Sequence, residues 1–244
     1  MRKPILLSFL ILFNLSVFAQ WSFGLFAEPN AQLSYLKETG TAQNDSIGAL
    51  LNHDKRLSFG VEISLEKDKL NSFHFKPGFY QYGFMLERTG LQLFDVVHSS
   101  FGQIYDQSEA AVKVAYMQHR LKYLGLQMEY HRDISPQLKN IGIKLYTGFG
   151  LSYYALIDHD IRLRTEGFAI QDDFIHKISS DLFFTPNEHL VSAQALFGII
   201  YEPTSSIDLY AQLQAKAPLM RLTSAPELIY TWMPGLNLGI RKTI

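Results

Sequence analysis

Three features of this 244-residue sequence predict an all-β fold, an eight-stranded antiparallel transmembrane β-barrel with short periplasmic turns and long extracellular loops. The first residues have the form of an export leader. The later hydrophobic segments alternate with period two, and none is long enough for a membrane helix. The connections between those segments alternate short and long without exception.

The leader comes first. Arg2 and Lys3 precede an apolar run from Ile5 to Leu15, broken only by Ser8 and Asn14, and Ser16-Val17-Phe18-Ala19 supplies the small residues before a cut. That order is the order of a secretory signal peptide. The apolar run is too short to span roughly 30 Å of hydrocarbon at about 1.5 Å per residue. Residues 1–19 therefore read as a signal peptide and residues 20–244 as one barrel domain, with the mature chain starting at Gln20. Losing Arg2 and Lys3 leaves 20 basic against 23 acidic side chains, a formal charge of −3, which gives no electrostatic footprint for nucleic acid. The absence of cysteine excludes disulfides and any thiol or Cys-based zinc chemistry.

Each strand is read from its alternation. Trp21, Phe23, Leu25, Ala27, Pro29, Ala31, Leu33 and Tyr35 face away from Ser22, Gly24, Phe26, Glu28, Asn30, Gln32 and Ser34. Leu57 to Leu65, Ile141 to Tyr153, Val191 to Tyr201 and Ile207 to Ala215 repeat the pattern, and "GLNLGIRKTI" closes it with Leu236, Leu238, Ile240 and Ile244 opposite Asn237, Arg241 and Thr243. Two segments are less regular. In 73–87 the apolar phase moves from Phe73, Phe75 and Phe79 to Tyr80, Tyr82, Phe84 and Leu86, while 116–130 ends on Leu124, Leu126, Met128 and Tyr130. A β-bulge produces such a change, and inward-facing tyrosines mimic it.

A soluble sandwich also alternates, but it puts Lys, Glu and Asp freely on its outward face. Here the polar face is rich in Gly, Ser, Gln, Asn and Tyr, as a narrow lumen filled by side chains requires. The connections at 66–72, 131–140 and 202–205 are short, whereas those at 37–56, 88–115, 158–189 and 217–229 are long, the layout of an outer-membrane barrel with both termini in the periplasm. In this register Trp21, Phe73, Tyr130 and Tyr201 form a periplasmic aromatic girdle, and Tyr35, Tyr153, Tyr230 and Trp232 an outer one.

With "KPGFYQYGFMLERTG" at 76–90, "RLKYLGLQMEYH" at 120–131 and the terminal "GLNLGIRKTI", the chain resembles the PorT-like outer membrane protein beta-barrel domain over nearly all of its mature length. Ile244 stands where many such barrels end in Phe. The resemblance implies a Gram-negative outer-membrane location and a part in outer-membrane assembly or type IX protein secretion.

Eight strands leave an interior that their own side chains fill. The inward set holds Glu28, Glu62, Glu66, Glu129 and Asp208 with Lys76, Lys144, Lys216 and Arg241. Hairpin register sets Glu62 opposite Lys76 and Glu129 diagonal to Lys144, and brings Asp208 within reach of Arg241 across the barrel seam. Such charges read first as a structural plug, because an unpaired buried charge costs several kcal/mol. No GxSxG or HExxH spacing supports a catalytic role for Ser152 or Ser179 with His159 or His176, so no catalytic residue, metal or cofactor is assigned. "DHD" at 158–160 splits its acids from its histidine across a strand. Phe174, Ile178 and Leu182 lie at helical spacing in the third long loop and predict a short amphipathic helix. Outer-membrane lipid is the expected surrounding, and loops 158–189 and 88–115 are the expected surfaces for a protein partner. The expected function is a non-enzymatic structural or interaction barrel; the alternative class is a small lipid-modifying enzyme or a narrow selective channel.

Overall fold

The computed structural model describes residues 20–37, 50–51, 55–68, 70–89, 114–135, 142–166, 176–178, 184–226 and 228–244. Eight strands form the wall: β1 (Gln20–Ala31, resumed as Leu33–Lys37), β2 (Lys55–Glu66), β3 (Asn71–Thr89), β4 (Val114–Asp133), β5 (Ile143–Glu166), β6 (His189–Thr204), β7 (Ile207–Pro218) and β8 (Leu228–Thr243). Each pairs antiparallel with its neighbour in sequence, and β8 returns to pair with β1, so the sheet closes into a barrel. The closing seam runs from Ser22↔Thr243 through Leu25↔Ile240 to Asn30↔Gly235 and continues in the upper pairs up to Lys37↔Leu228. It is fastened at its lower end by the Ser22 and Thr243 hydroxyls, 3.1 Å apart, and by the Ile244 amide donating to the Trp21 carbonyl at 3.0 Å.

The polarity of this barrel is inverted relative to a soluble protein. Leu25, Phe149 and Leu213 point outward and are 61%, 65% and 63% exposed, while Gln127, Gln212 and Asn237 are wholly enclosed. From Trp21 to Leu33 the outward face of β1 covers about 40 Å of strand at roughly 3.3 Å per residue, or about 30 Å along the normal at a tilt of about 40°. That is the thickness of a bilayer's hydrocarbon. A closed sheet is one of only two backbone arrangements that leave no unpaired amide in such a medium.

The connections that the structure describes are tight. In the β2–β3 turn the Asp68 carboxylate accepts from the amides of Leu70 and Asn71, each at 2.9 Å, and from the Asn71 side chain at 2.8 Å. Gly142, just before β5, has a left-handed φ of 68°, and its carbonyl accepts from the Glu202 amide at 2.8 Å.

The irregular phase of β3 is not a bulge. Its pairing with β4 runs unbroken from Asn71↔Arg132 to Thr89↔Val114, and the even positions from Ser72 to Phe84 face inward. Tyr80, Tyr82 and Phe84 are buried lumenal rings that imitate a phase change. The one register shift between β4 and β5 lies opposite, where Lys122 pairs with Asp158 and Tyr123 with Leu156, leaving Ile157 as the extra residue.

The strands also overrun the predicted loops. Residues 158–166 of the expected third long loop belong to β5, and Arg88 and Thr89 of the expected second loop to β3. As a result β3, β4 and β5 run well past the ends of the flanking strands β2 and β6, which begin at Lys55 and His189. Short strands flank this raised wall: Leu50–Leu51 pairs with Met85 and Leu86 of β3, and His176–Ile178 pairs with Ile161 to Leu163 of β5. Ile178 therefore lies in a strand, which corrects the amphipathic helix for the described part of that loop; pairing with β5 satisfies its backbone instead of a helical turn. Phe174 and Leu182 lie outside the described residues, as does the leader.

Several lumenal rings lie flat over glycines directly across the sheet. Tyr146 faces its register partner Gly198, and Tyr210 faces Gly239. A Cβ placed on either glycine would stand 2.4 Å from the hydroxyl oxygen of the tyrosine. The glycine lets the ring lie against the wall, and the ring covers the bare backbone. Tyr146 has little freedom to retreat, being stacked on His131 at 4.5 Å and bonded to Gln212 at 3.0 Å. Gly198→Ala is therefore expected to cost about 1–3 kcal/mol by overpacking. At Gly235, where an added Cβ meets nothing nearer than 3.3 Å, the same change should cost clearly less. Urea unfolding of both variants refolded in lipid vesicles checks the comparison, and equal losses would refute it.

Candidate functional site: a filled, charged lumen

Strand parity carries the charged side chains into the lumen, where they form tiers. In the outer tier Lys216 of β7 meets Glu28 of β1 at 2.5 Å, both 1% exposed, and the Gln127 amide donates to the other Glu28 oxygen at 3.1 Å. The Lys216 ammonium also stands 5.4 Å from the centre of the Tyr80 ring. Above it Tyr82, Tyr123 and Tyr154 pack edge to face, with centroids 5.3 to 6.5 Å apart, and close the passage with apolar bulk.

In the middle tier Lys76 meets Glu129 at 2.8 Å, both side chains fully enclosed. Glu129 further accepts from Gln194 at 2.8 Å and Gln212 at 3.3 Å, and His131 Nε2 lies 2.8 Å away. Buried ions are tolerated on this condition, that the lone pairs left over by the partner charge find donors.

The periplasmic tier centres on Arg241 of β8. Its guanidinium reaches Glu62 at 3.3 Å and Asp208 at 3.2 Å. Glu62 is also held by His74 Nδ1 at 2.7 Å and by the Tyr210 hydroxyl. The His74 and His131 rings stack at 3.7 Å. Lys144 and Glu66 lie lower still, at the mouth, where Lys144 pairs with Glu202.

The pairing differs from the register expectation in two places. Glu62 and Lys76 do stand across one hairpin, but Lys76 binds Glu129 while Glu62 turns to Arg241 and His74. Glu129 and Lys144 do not meet, because Lys144 is taken by Glu202. Register fixes where a side chain starts, and a long Lys or Glu chooses among several partners across a narrow lumen. The two histidines were missed altogether. Their signal was parity: His74 lies two residues before Lys76 and His131 two after Glu129, on the same faces.

On the exterior, Trp21, Phe73 and Tyr201 are 36%, 38% and 49% exposed at the periplasmic rim, with Tyr130 packed between Phe73 and Phe149 at 5.4 and 5.3 Å. At the outer rim Trp232 is exposed, Tyr230 is half-buried, and the Tyr153 hydroxyl lies 2.8 Å from His189 Nδ1. The Tyr35 side chain lies outside the described residues.

The candidate catalytic groups do not converge. Ser152 is buried in the lumen and bonds Gln194 at 3.2 Å, while His159 lies beside His119, with ring nitrogens 3.2 Å apart. Asp158 instead takes Lys122 at 2.5 Å on the outer surface. Among the described residues no three His, Asp or Glu side chains form a metal-binding group. Ser179, Asp172, Asp173 and Asp181 lie outside them.

No family model matches the chain, and no curated protein does. Among solved structures it is similar to Neisserial surface protein A, at 11% identity and a TM-score of 0.46 over 92% of this chain and 97% of that one. It is similar to the outer membrane protein OprG from Pseudomonas aeruginosa, at 10% identity and a TM-score of 0.45 over 93% and 95%. A third similarity is to the outer membrane protein AlkL in lipid bilayers, at 16% identity and a TM-score of 0.38 over 93% and 90%. At such identities and TM-scores these likenesses assign the chain no role.

Proposed function

We propose that this chain is an integral outer-membrane barrel that acts without catalysis, as a structural or partner-binding element. In line with the PorT-like resemblance, we read it as a subunit or accessory of outer-membrane assembly or protein secretion, exported by a leader cut after Ala19. The observation that carries the reading is the pairing of an apolar exterior with a lumen filled by its own ion pairs and tyrosines. A wall of this kind belongs in lipid, and among the described residues the lumen's own side chains take up the space of a diffusion path and bring no nucleophile and base together. The surface we assign to a protein partner is the long-loop side, 88–115 and 158–189, including the outward face of the raised β3–β5 wall.

The mature protein is expected to fractionate with the outer membrane, to migrate anomalously until heated, and to begin at Gln20. Tags near Asn44, Asp106 or Asp172 should be reached by antibody on intact cells, and a tag near Ser205 should not. Lipid A mass spectra should be the same with and without the gene, and the refolded barrel should give no conductance steps in planar bilayers. Pull-down in mild detergent should bring down envelope proteins. A changed lipid A would establish the enzyme class and regular conductance steps the channel class, and either result would overturn a purely structural or partner-binding role.

A further inference from the structure

We propose that the periplasmic mouth of the lumen is a binding site for a compact organic cation, an ammonium or guanidinium group, received by Glu66, Asp208 and His131. This goes beyond the role assigned above and holds whether or not the barrel serves secretion. A cavity of about 50 Å³ lies there, between the β2–β3 turn and the lower ends of β4, β5, β7 and β8. Its volume suits the end group of a side chain or a small amine.

The three acceptors Glu66, His131 and Asp208 line this cavity. Glu66, Ser72 and His131 sit side by side on β2, β3 and β4, Glu66 paired with Ser72 and Ser72 with His131. His131 is 4% exposed. Its Nε2 lies against the Glu129 carboxylate and so carries the proton, which leaves Nδ1 as a lone pair with no partner among the described residues. Among the described residues Glu66 takes part in none of the lumen's ion pairs, unlike the cations around it: Lys144 is held by Glu202, and Arg241 by Glu62 and Asp208. Asp208 closes the site from the opposite wall.

The electrostatics favour a cation. Of the side chains lining the cavity, the four carboxylates Glu66, Asp68, Asp133 and Asp208 outnumber the two cations Lys144 and Arg241. The hydrogen bonds from Asn71 hold the Asp68 carboxyl below its ordinary range, which keeps it charged. Directional acceptors on separate strands match the several N–H donors of an ammonium or guanidinium group. Arg241, whose Nε has no partner among the described residues, also lines the cavity, so a carbonyl next to the bound cation would find a donor there. The cation has two sources, a free amine solute or a Lys or Arg side chain of a periplasmic protein.

The test uses the full mature barrel refolded in detergent micelles, with the His74 and His131 ring resonances followed by NMR. Methylammonium and methylguanidinium chloride are titrated at constant ionic strength against sodium and tetramethylammonium chloride. Saturable shifts with the first two only, weakened at least tenfold by Glu66→Gln, are expected. A short lysine-bearing peptide that binds at least tenfold more tightly than methylammonium identifies a protein side chain as the source, and equal binding identifies a free amine. Shifts that are linear and the same for all four salts overturn the site, as does unchanged affinity in Glu66→Gln. The comparison of methylammonium with tetramethylammonium, which has the charge but no N–H, decides the matter on the unaltered protein should the variant fail to refold.

Discussion

Replacing Lys216 with Met is expected to lower the unfolding free energy of the vesicle-refolded barrel by about 3–5 kcal/mol, because it leaves the Glu28 carboxylate enclosed with only an amide for company. The pair is 2.5 Å apart, and both members are 1% exposed. The loss belongs to the orphaned charge and not to the missing attraction, which makes a second measurement decisive. In Lys216→Met with Glu28→Leu no ion remains in that tier, and most of the stability should return. A double variant no more stable than the single one would show that the tier is held by something other than charge compensation.

Leu213→Arg should cost about 2–4 kcal/mol in the same assay, the range for a cation at the lipid face near the midplane of a bilayer. Leu213 is 63% exposed and pairs with Phe197 and Leu236, halfway along its strand. Ile240 is also outward, but it lies near the periplasmic rim, level with Leu25 and Leu209. Ile240→Arg should therefore cost less, since its guanidinium reaches the interface. If Arg is tolerated equally well at both positions, the belt does not face hydrocarbon and the membrane-spanning reading fails.

Much of this architecture was legible because a strand has only two faces. Once Trp21, Phe23 and Leu25 point outward, Glu28 must point inward, and the same parity places Lys76, Lys216 and Arg241. What parity does not carry is reach. It sets Lys76 across from Glu62, yet whether that ammonium bends to Glu62 or Glu129 depends on where the tyrosines, glutamines and histidines leave room. Composition also misled at Tyr80, Tyr82 and Phe84, since an apolar residue on the lumenal face looks like a slipped register when hydrophobicity alone is followed. The glycines opposite the rings were equally quiet: Gly198 and Gly239 read as polar-face spacers until Tyr146 and Tyr210 are seen lying over them.

The unequal height of the strands has a consequence for how the long loops can vary. A closed barrel has no free margin, but where β3, β4 and β5 rise past their neighbours the outer flanks of β3 and β5 become open again, each a row of backbone donors and acceptors able to template pairing with another chain. Leu50–Leu51 and His176–Ile178 take up part of those rows, so two of the loops also serve as selvedges that keep the raised sheet from recruiting strands. Shortening either loop past its pairing segment would expose an adhesive margin outside the cell, with aggregation or fibre-like association as the outcome. Insertions that leave 50–51 and 176–178 in place should be borne far better.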